Sequence, residues 1–264
     1  MAQRWGDARA LPLGRVANPF SMSTVRAIVL RRRDSGESDR RLTLLTLEEG
    51  RIEVIAKGAR KGGSRLAGSS EPLTMGEMEL AIGRHQRFLT QVQPITSFPG
   101  LRADYDRLQY ALCLAELYAS VSTHGHPSEA AFHLLEKSLA ALETHETPQV
   151  AMIWALLKLL QEEGVLPSWT LCSSSGKPLV ETPAWVSPHA GGYVDSDTAP
   201  NFNDRFAVDA RVLLGLEKVS ELEEPPRHLK FSAESLSTLM PFLEGASHAP
   251  LPGCRALAES PLVL

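Results

Sequence analysis

The sequence predicts an α+β chain: a small closed β-barrel, then a helical domain carrying an irregular insert. Three observations lead there. Between Thr24 and Phe98, short β-branched and apolar runs are cut by polar, glycine-containing turns, the pattern of strands. After Asp104 the apolar spacing lengthens to three and four, the period of helices. Residues 165–204 hold neither period and are rich in Pro, Ser and Gly.

Thr24–Arg31 (TVRAIVLR) is β-branched and compact, and the polar RRDSGES after it reads as a turn. Arg41–Thr46 (RLTLLT) and Arg51–Ala56 (RIEVIA) flank Leu47-Glu48-Glu49-Gly50, a hairpin loop with glycine where a positive φ is needed. Glu77–Ile82 alternates Met78, Leu80 and Ile82 with other residues. Arg87–Ile95 closes the set, with Pro94 placed at an edge or strand end because it donates no ladder hydrogen bond. Five strands in about 75 residues suit closure into a barrel, which removes exposed edges.

Asp104–Val121 then sets Leu108, Ala111, Leu112, Ala115 and Tyr118 on one helical stripe, and His124-Gly125-His126-Pro127 breaks it. Ser128 caps a second helix to about Leu142, with Phe132, Leu135 and Leu139 inward. Thr147-Pro148 opens a third, with proline at the first helical position, and Gly164 stops it after Glu163. Val150, Met152, Ile153, Trp154, Leu156, Leu157, Leu159 and Leu160 leave that helix almost no polar face, which predicts the centre of the helical core. The insert carries Trp169, Trp185 and Tyr193 and a short hairpin around Ala190–Val194. Two helices follow, Val208–Glu217 and Ser232–Glu244, the latter with Ser232 as its N-cap.

Charge is divided unevenly. Residues 1–110 hold 18 Lys/Arg and 12 Asp/Glu, and residues 111–264 hold 9 and 19, so a net of +6 precedes a net of −10. Such a split points to a nucleic-acid or other anionic partner for one end. At 43% apolar residues, disorder is excluded. The most apolar stretch, Val150–Leu160, is interrupted by Lys158 and falls short of the ~20 residues a membrane span needs. Residues 1–21 form a loose leader without a secretory pattern, and Met22, which opens a better-ordered segment, is the expected true or ancestral start. Cys113, Cys172 and Cys254, odd in number and far apart, suggest no disulfide framework and a reducing cytosol.

Enzymatic motifs are missing: there is no G-x-S-x-G and no H-E-x-x-H. Gly58–Arg65 and Ser173–Pro178 lack the spacing of a phosphate loop. His124, His126 and His133 could form a metal cluster or serve a hydrolase, but turn histidines without a nearby thiol read more simply as solvated. Asp104 and Asp106 are ordinary partners of a helix N-terminus. The informative segment is Ala56–Leu66, in which Lys57, Arg60, Lys61 and Arg65 stand among Gly58, Gly62 and Gly63. Glycine lets backbone approach a polyanion while long cations neutralise phosphates without a base code. Arg31, Arg32, Arg33, Arg40 and Arg41 form a second cluster around the first turn. Phe88 and Phe98 are the only aromatics between Thr24 and Gly100, which favours backbone electrostatics over base stacking.

Residues 23–73 strongly resemble the N-terminal part of the RecO family of bacterial recombination mediators. The marks are Arg31-x-x-Asp34-x-Gly36-Glu37-x-Asp39, Leu44-Leu45-Thr46, Gly50, Ala56-Lys57-Gly58-Ala59-Arg60-Lys61, Ser64-Arg65-Leu66 and Glu71-Pro72. Leu166-Pro167 before Cys172, Gly191-Gly192 and Ala258-Glu259-Ser260 extend the likeness more loosely. The resemblance implies an OB-fold over residues 22–100 and a helical domain over residues 101–264 with its insert at 165–204. It implies a non-enzymatic protein that binds single- and double-stranded DNA and anneals complementary strands. With RecR and the single-stranded-DNA-binding protein, such proteins load RecA. Family members often carry a zinc insert with two C-x-x-C pairs, the second after Gly-Gly. Here Cys172 is followed at the third position by Ser175, and no thiol follows Gly191-Gly192. No zinc and no other cofactor is expected, with Trp169, Trp185 and Tyr193 filling the small core instead. The expected DNA contacts are Lys57, Arg60, Lys61 and Arg65, then Arg31, Arg32, Arg40 and Arg41. Lys137 and Lys158 are the candidate rim for the acidic tail of the single-stranded-DNA-binding protein. An RNA-binding OB adaptor is the alternative.

Overall fold

The computed structural model describes residues 21–247 together with Leu251, Gly253, Cys254 and Leu257. Strands β1 (Ser21–Ser35), β2 (Asp39–Thr46), β3 (Gly50–Ala56), β4 (Met75–Ile82) and β5 (Arg87–Thr96) close into a barrel in the order β1-β2-β3-β5-β4. A short helix, α1 (Leu66–Ser69), follows β3. This is the OB arrangement, and its closing pair is the parallel contact of β3 with β5 at Ile55 and Phe88. All five expected strands form, and Gly50 turns the β2–β3 hairpin at φ +68°. β1 is longer than its apolar core because it serves two partners. Ser21–Ile28 pairs with β4 and Ala27–Ser35 with β2, with an irregular step between Val29 and Arg31. Ser21 already pairs with Ile82, so the barrel begins one residue before the expected boundary at Met22. The rest of the expected leader lies outside the described residues.

Strand alternation sorts the apolar side chains into two cores. Val25, Ala27, Val29, Leu42, Leu44, Ile52, Val54, Met78, Leu80 and Leu89 fill the barrel. Ile28, Leu30, Leu45 and Met75 face outward and join the core of the helices, so barrel and helical body share one apolar seam.

The helical body comprises α2 (Pro99–Ala103), α3 (Tyr105–Val121), α4 (Glu129–Thr144), α5 (Pro148–Glu162), α6 (Ala210–Glu221) and α7 (Ser232–Ala246). Asp104 caps α3 by accepting from Arg107 N–H, and Ser128 caps α4 by accepting from Ala131 N–H. Thr147 holds the cap position of α5, although its hydroxyl makes no capping bond. Gly164 follows at φ +70°. Ten consecutive-turn residues of α5, Trp154 among them, are buried, as its sequence demands. α3 is buried well beyond the expected stripe, because Tyr110, Cys113, Leu114 and Leu117 also face neighbours.

Three expectations are corrected. α6 starts at Ala210, since Asp209 accepts from Arg211 N–H as the cap and Val208 ends a strand. Phe231, at φ +60°, occupies the cap position of α7, and the Ser232 hydroxyl instead donates to Gln149 Oε1 at 2.8 Å. Cys113 and Cys254 form a disulfide with a Cα–Cα distance of 5.1 Å across 141 residues of sequence, so the odd count hid a pair that the fold brings together.

In the insert, β6 (Ala184–Ser187), β7 (Gly192–Val194) and β8 (Phe206–Val208) form an antiparallel sheet in the order β7-β6-β8. The hairpin expected around Ala190–Val194 is β6–β7, and β8 is an addition. Trp169 and Tyr193 are fully buried, with Trp169 edge-on to Phe242 of α7 at a ring separation of 5.3 Å. Trp185 lies at the rim under Arg205. Among the described residues no helix is long and apolar enough to cross a membrane.

Candidate nucleic-acid interface

The glycine-rich loop after β3 folds onto the β1–β2 turn. Gly58, at φ +65°, donates its N–H to Asp39 Oδ1 at 2.8 Å, and Arg60 N–H donates to the Ser38 carbonyl at 2.9 Å. The Arg60 guanidinium reaches the Gly36 carbonyl at 3.2 Å and Asp34 Oδ2 at 3.4 Å. The two basic clusters of the sequence therefore form one surface.

Within that surface the cations divide by what they already hold. Lys57 Nζ sits 4.4 Å over the Phe88 ring. Arg31 donates to the Glu116 carbonyl at 3.1 Å and lies 3.6 Å from its carboxylate, joining barrel to α3. Arg32 pairs with Glu71 at 3.0 Å. Arg40 also pairs with Glu71, at 3.1 Å, and donates to the Ala67 carbonyl and Ser70 Oγ at 2.8 and 2.7 Å, with its side chain only 11% exposed. Arg40 is a brace. Its replacement by alanine is expected to cost about 2 kcal/mol or more in urea denaturation, because buried acceptors lose a charged donor, while leaving the salt dependence of binding unchanged.

Lys61, Arg65 and Arg41 are exposed, and their side chains make no hydrogen bond or ion pair with the described residues. Arg33 joins them. It stands directly opposite Arg41 in the β1–β2 register, and it too has no described partner. Like charges facing across two strands repel unless an anion lies between them. Both line a cleft of about 320 Å³ with Arg31, Arg51, Thr43 and Glu53, closed on one side by Ala119 of α3. Arg51 donates to the Ala119 carbonyl, and Glu53 accepts from the Thr43 hydroxyl at 2.6 Å. Arg33 and Arg51 were absent from the expected contacts. The signal for Arg51 is period two: Arg41 and Arg51 flank inward Leu42 and Ile52, so both point out.

Lys137 donates to the Glu223 carbonyl at 2.7 Å, pairs with Glu224 at 2.8 Å and lies 5.5 Å over Trp154. Lys158 donates to the Ser220 carbonyl at 2.9 Å. Lys158 fastens the last turn of α6 and Lys137 the segment after it. His124 and His126 belong to the loop that packs on β3, where Gly125 N–H donates to the Arg51 carbonyl at 3.0 Å, while His133 pairs with Glu136 at 3.2 Å. Among the described residues no three His, Cys, Asp or Glu side chains gather as a metal site. The family's zinc does not fit the insert either. Cys172 is its one thiol, Ser175 holds the third position after it and no thiol follows Gly191-Gly192, where a structural zinc takes four thiolate or imidazole ligands.

A five-stranded OB barrel with an arginine-lined cleft, seated on a helical body, defines the class: an OB-fold protein with a helical C-terminal domain. The model described as Recombination protein O N terminal matches residues 21–98, and Recombination protein O C terminal matches residues 102–248. The chain belongs to the recombination protein O family, a family of DNA repair and recombination proteins. It is 32% identical to the DNA repair protein RecO of Gloeobacter violaceus over 217 residues, 81% of this chain and 83% of that one. It is 38% identical to the DNA repair protein RecO of Heliobacterium modesticaldum over 172 residues, 64% of this chain and 62% of the relative. The likeness to the Roseiflexus protein of the same name is 38% over 173 residues, 66% and 61% of the two chains. The latter two matches span under two thirds of the relatives' length.

Proposed function

We propose that this chain is a recombination mediator that grips the phosphate backbone of single- and double-stranded DNA on the outer face of its barrel and anneals complementary strands. It acts in the cytoplasm with RecR and the single-stranded-DNA-binding protein to load RecA, and it catalyses no reaction itself. The observation that carries the reading is the Arg33–Arg41 pair, two exposed like charges set opposite each other in a cleft where neither is ion-paired among the described residues and arginines outnumber the single carboxylate, Glu53. A phosphate in the cleft relieves that repulsion and needs no base code. The two aromatics of the barrel support the same view, since Phe98 is buried and Phe88 lies beneath Lys57, leaving backbone contacts to supply affinity.

Competition between single-stranded DNA and RNA of equal length and sequence tests the substrate. DNA is expected to compete at least as well as RNA. RNA displacing DNA at much lower concentration would favour an adaptor built around the 2′-hydroxyl. Annealing of complementary strands coated with the cognate single-stranded-DNA-binding protein tests the activity.

A further inference from the structure

Two pairs of insert residues with the three-residue step of a C-x-x-C pair, Cys172/Ser175 before Gly191-Gly192 and Asp195/Thr198 after it, come together in this chain, although only one of the four is a cysteine. Cys172 and Ser175 share one tight turn, in which Gly176 N–H donates to the Cys172 carbonyl at 2.8 Å and Ser175 N–H to Cys172 Sγ at 3.4 Å. Asp195 and Thr198 share a second turn with the same three-residue step, in which Thr198 N–H donates to the Asp195 carbonyl at 3.1 Å and to its Oδ1 at 2.9 Å. The turns face each other. Asp195 N–H donates to Cys172 Sγ at 3.3 Å, Thr198 Oγ1 lies 3.5 Å from the same sulfur, and the Ser175 hydroxyl donates to Asp195 Oδ2. Cys172 and Asp195 are each 3% exposed. The Ser175 hydroxyl, aided by the Thr198 N–H, holds the Asp195 carboxyl well below the usual carboxylate range despite burial.

Two pairs of ligand positions with x-x spacing, converging on one centre, are the plan of a closed tetrahedral metal site. The donors no longer suit an ion, because two hydroxyls that stay protonated leave half of the places unfilled. We propose that positions 172, 175, 195 and 198 form a metal cradle closed by hydrogen bonds in place of an ion. Cys172 Sγ is the hub that both turns donate to, and the Ser175–Asp195 bond clasps the turns from the other side. The insert therefore folds without metal while its two turns keep a metal-ready spacing. The cradle also anchors the insert: Ser173 N–H donates to the Tyr193 carbonyl at 2.8 Å, and the same small core seats Trp169 against α7.

The full-length protein tests this in two ways. Metal analysis of the unaltered chain should find no bound zinc, and 1,10-phenanthroline should leave Tm and circular dichroism unchanged. A stoichiometric zinc whose removal lowers Tm would overturn the proposal. The Ser175→Cys/Asp195→Cys/Thr198→Cys variant should take up one Co²⁺ per chain, with thiolate-to-cobalt charge-transfer and tetrahedral d–d bands, and its Tm should become chelator-sensitive. A variant that folds yet gives no such bands contradicts the cradle geometry. If the metal-free variant does not fold, refolding with zinc decides: recovery of the native spectrum supports the cradle, and failure to recover it counts against it.

Discussion

Alanine at Arg33, Arg41, Lys61 and Arg65 together is expected to remove most single-strand binding and annealing, across sequences, without unfolding the protein. Each of these side chains is exposed and unpaired among the described residues, so nothing in the folded chain depends on its charge. Each lost phosphate contact on a single strand removes ~0.7 from the log-affinity against log-salt slope, which makes the four together worth about 2.8. At 0.1 M salt the same relation corresponds to an affinity loss on the order of 10² to 10³. Arg32, Arg40 and Arg60 make the informative contrast, since each is already engaged with Glu71 or Asp34. Their replacement should fall mainly on stability and loop position. Separating the eight expected cations into holders and binders is thus a measurable division.

Trp154→Ala should produce the largest loss of stability, about 3–5 kcal/mol in equilibrium denaturation, as for other large-to-small changes at buried tryptophans. Trp154 is fully buried at the centre of α5, and its indole N–H donates to the Leu222 carbonyl at 3.0 Å. Lys137 lies over its ring and holds Glu223 and Glu224, and Lys158 holds Ser220, so Trp154 is the buried member of the three side chains that seat residues 220–224. Truncation leaves a cavity and an unpaired carbonyl together. Against a typical total of about 5–15 kcal/mol this is a large share. Where the variant remains folded, its DNA salt slope should match that of the unaltered chain, because the barrel face is untouched.

The barrel was legible because period two is written into it. Leu42 and Leu44, and Ile52 and Val54, mark the inward face of two paired strands, and Gly50 marks the turn between them. The same rule separates Arg40, which continues the inward series of Leu42, from Arg41, which points out, although a charge count treats the neighbours alike. What the rule could not reach is the irregular step between Val29 and Arg31, which resets the alternation through Arg31–Arg33 and so hid Arg33. The helices were legible from their three-four apolar spacing and from the cap at Ser128, while Asp104, read as a partner of the helix N-terminus, proves to be the cap itself. Ser232 misled because the helix starts on it: Phe231, in the left-handed region, takes the cap position, and the Ser232 hydroxyl bonds Gln149, a residue distant in sequence. Cys113–Cys254 and the Cys172–Asp195 cradle are likewise products of long-range approach, which local spacing does not encode.

The central claim is that unpaired cations on the outer face of the barrel hold DNA by its phosphates. It is tested most directly by single-strand affinity measured across a salt series for the unaltered chain and for the Arg33, Arg41, Lys61 and Arg65 alanine variant, with Tm recorded for both. Equal Tm values and a slope shallower by about 2.8 are the predicted result. Superimposable salt lines at equal Tm would contradict it and leave the arginine cleft as a solvated surface.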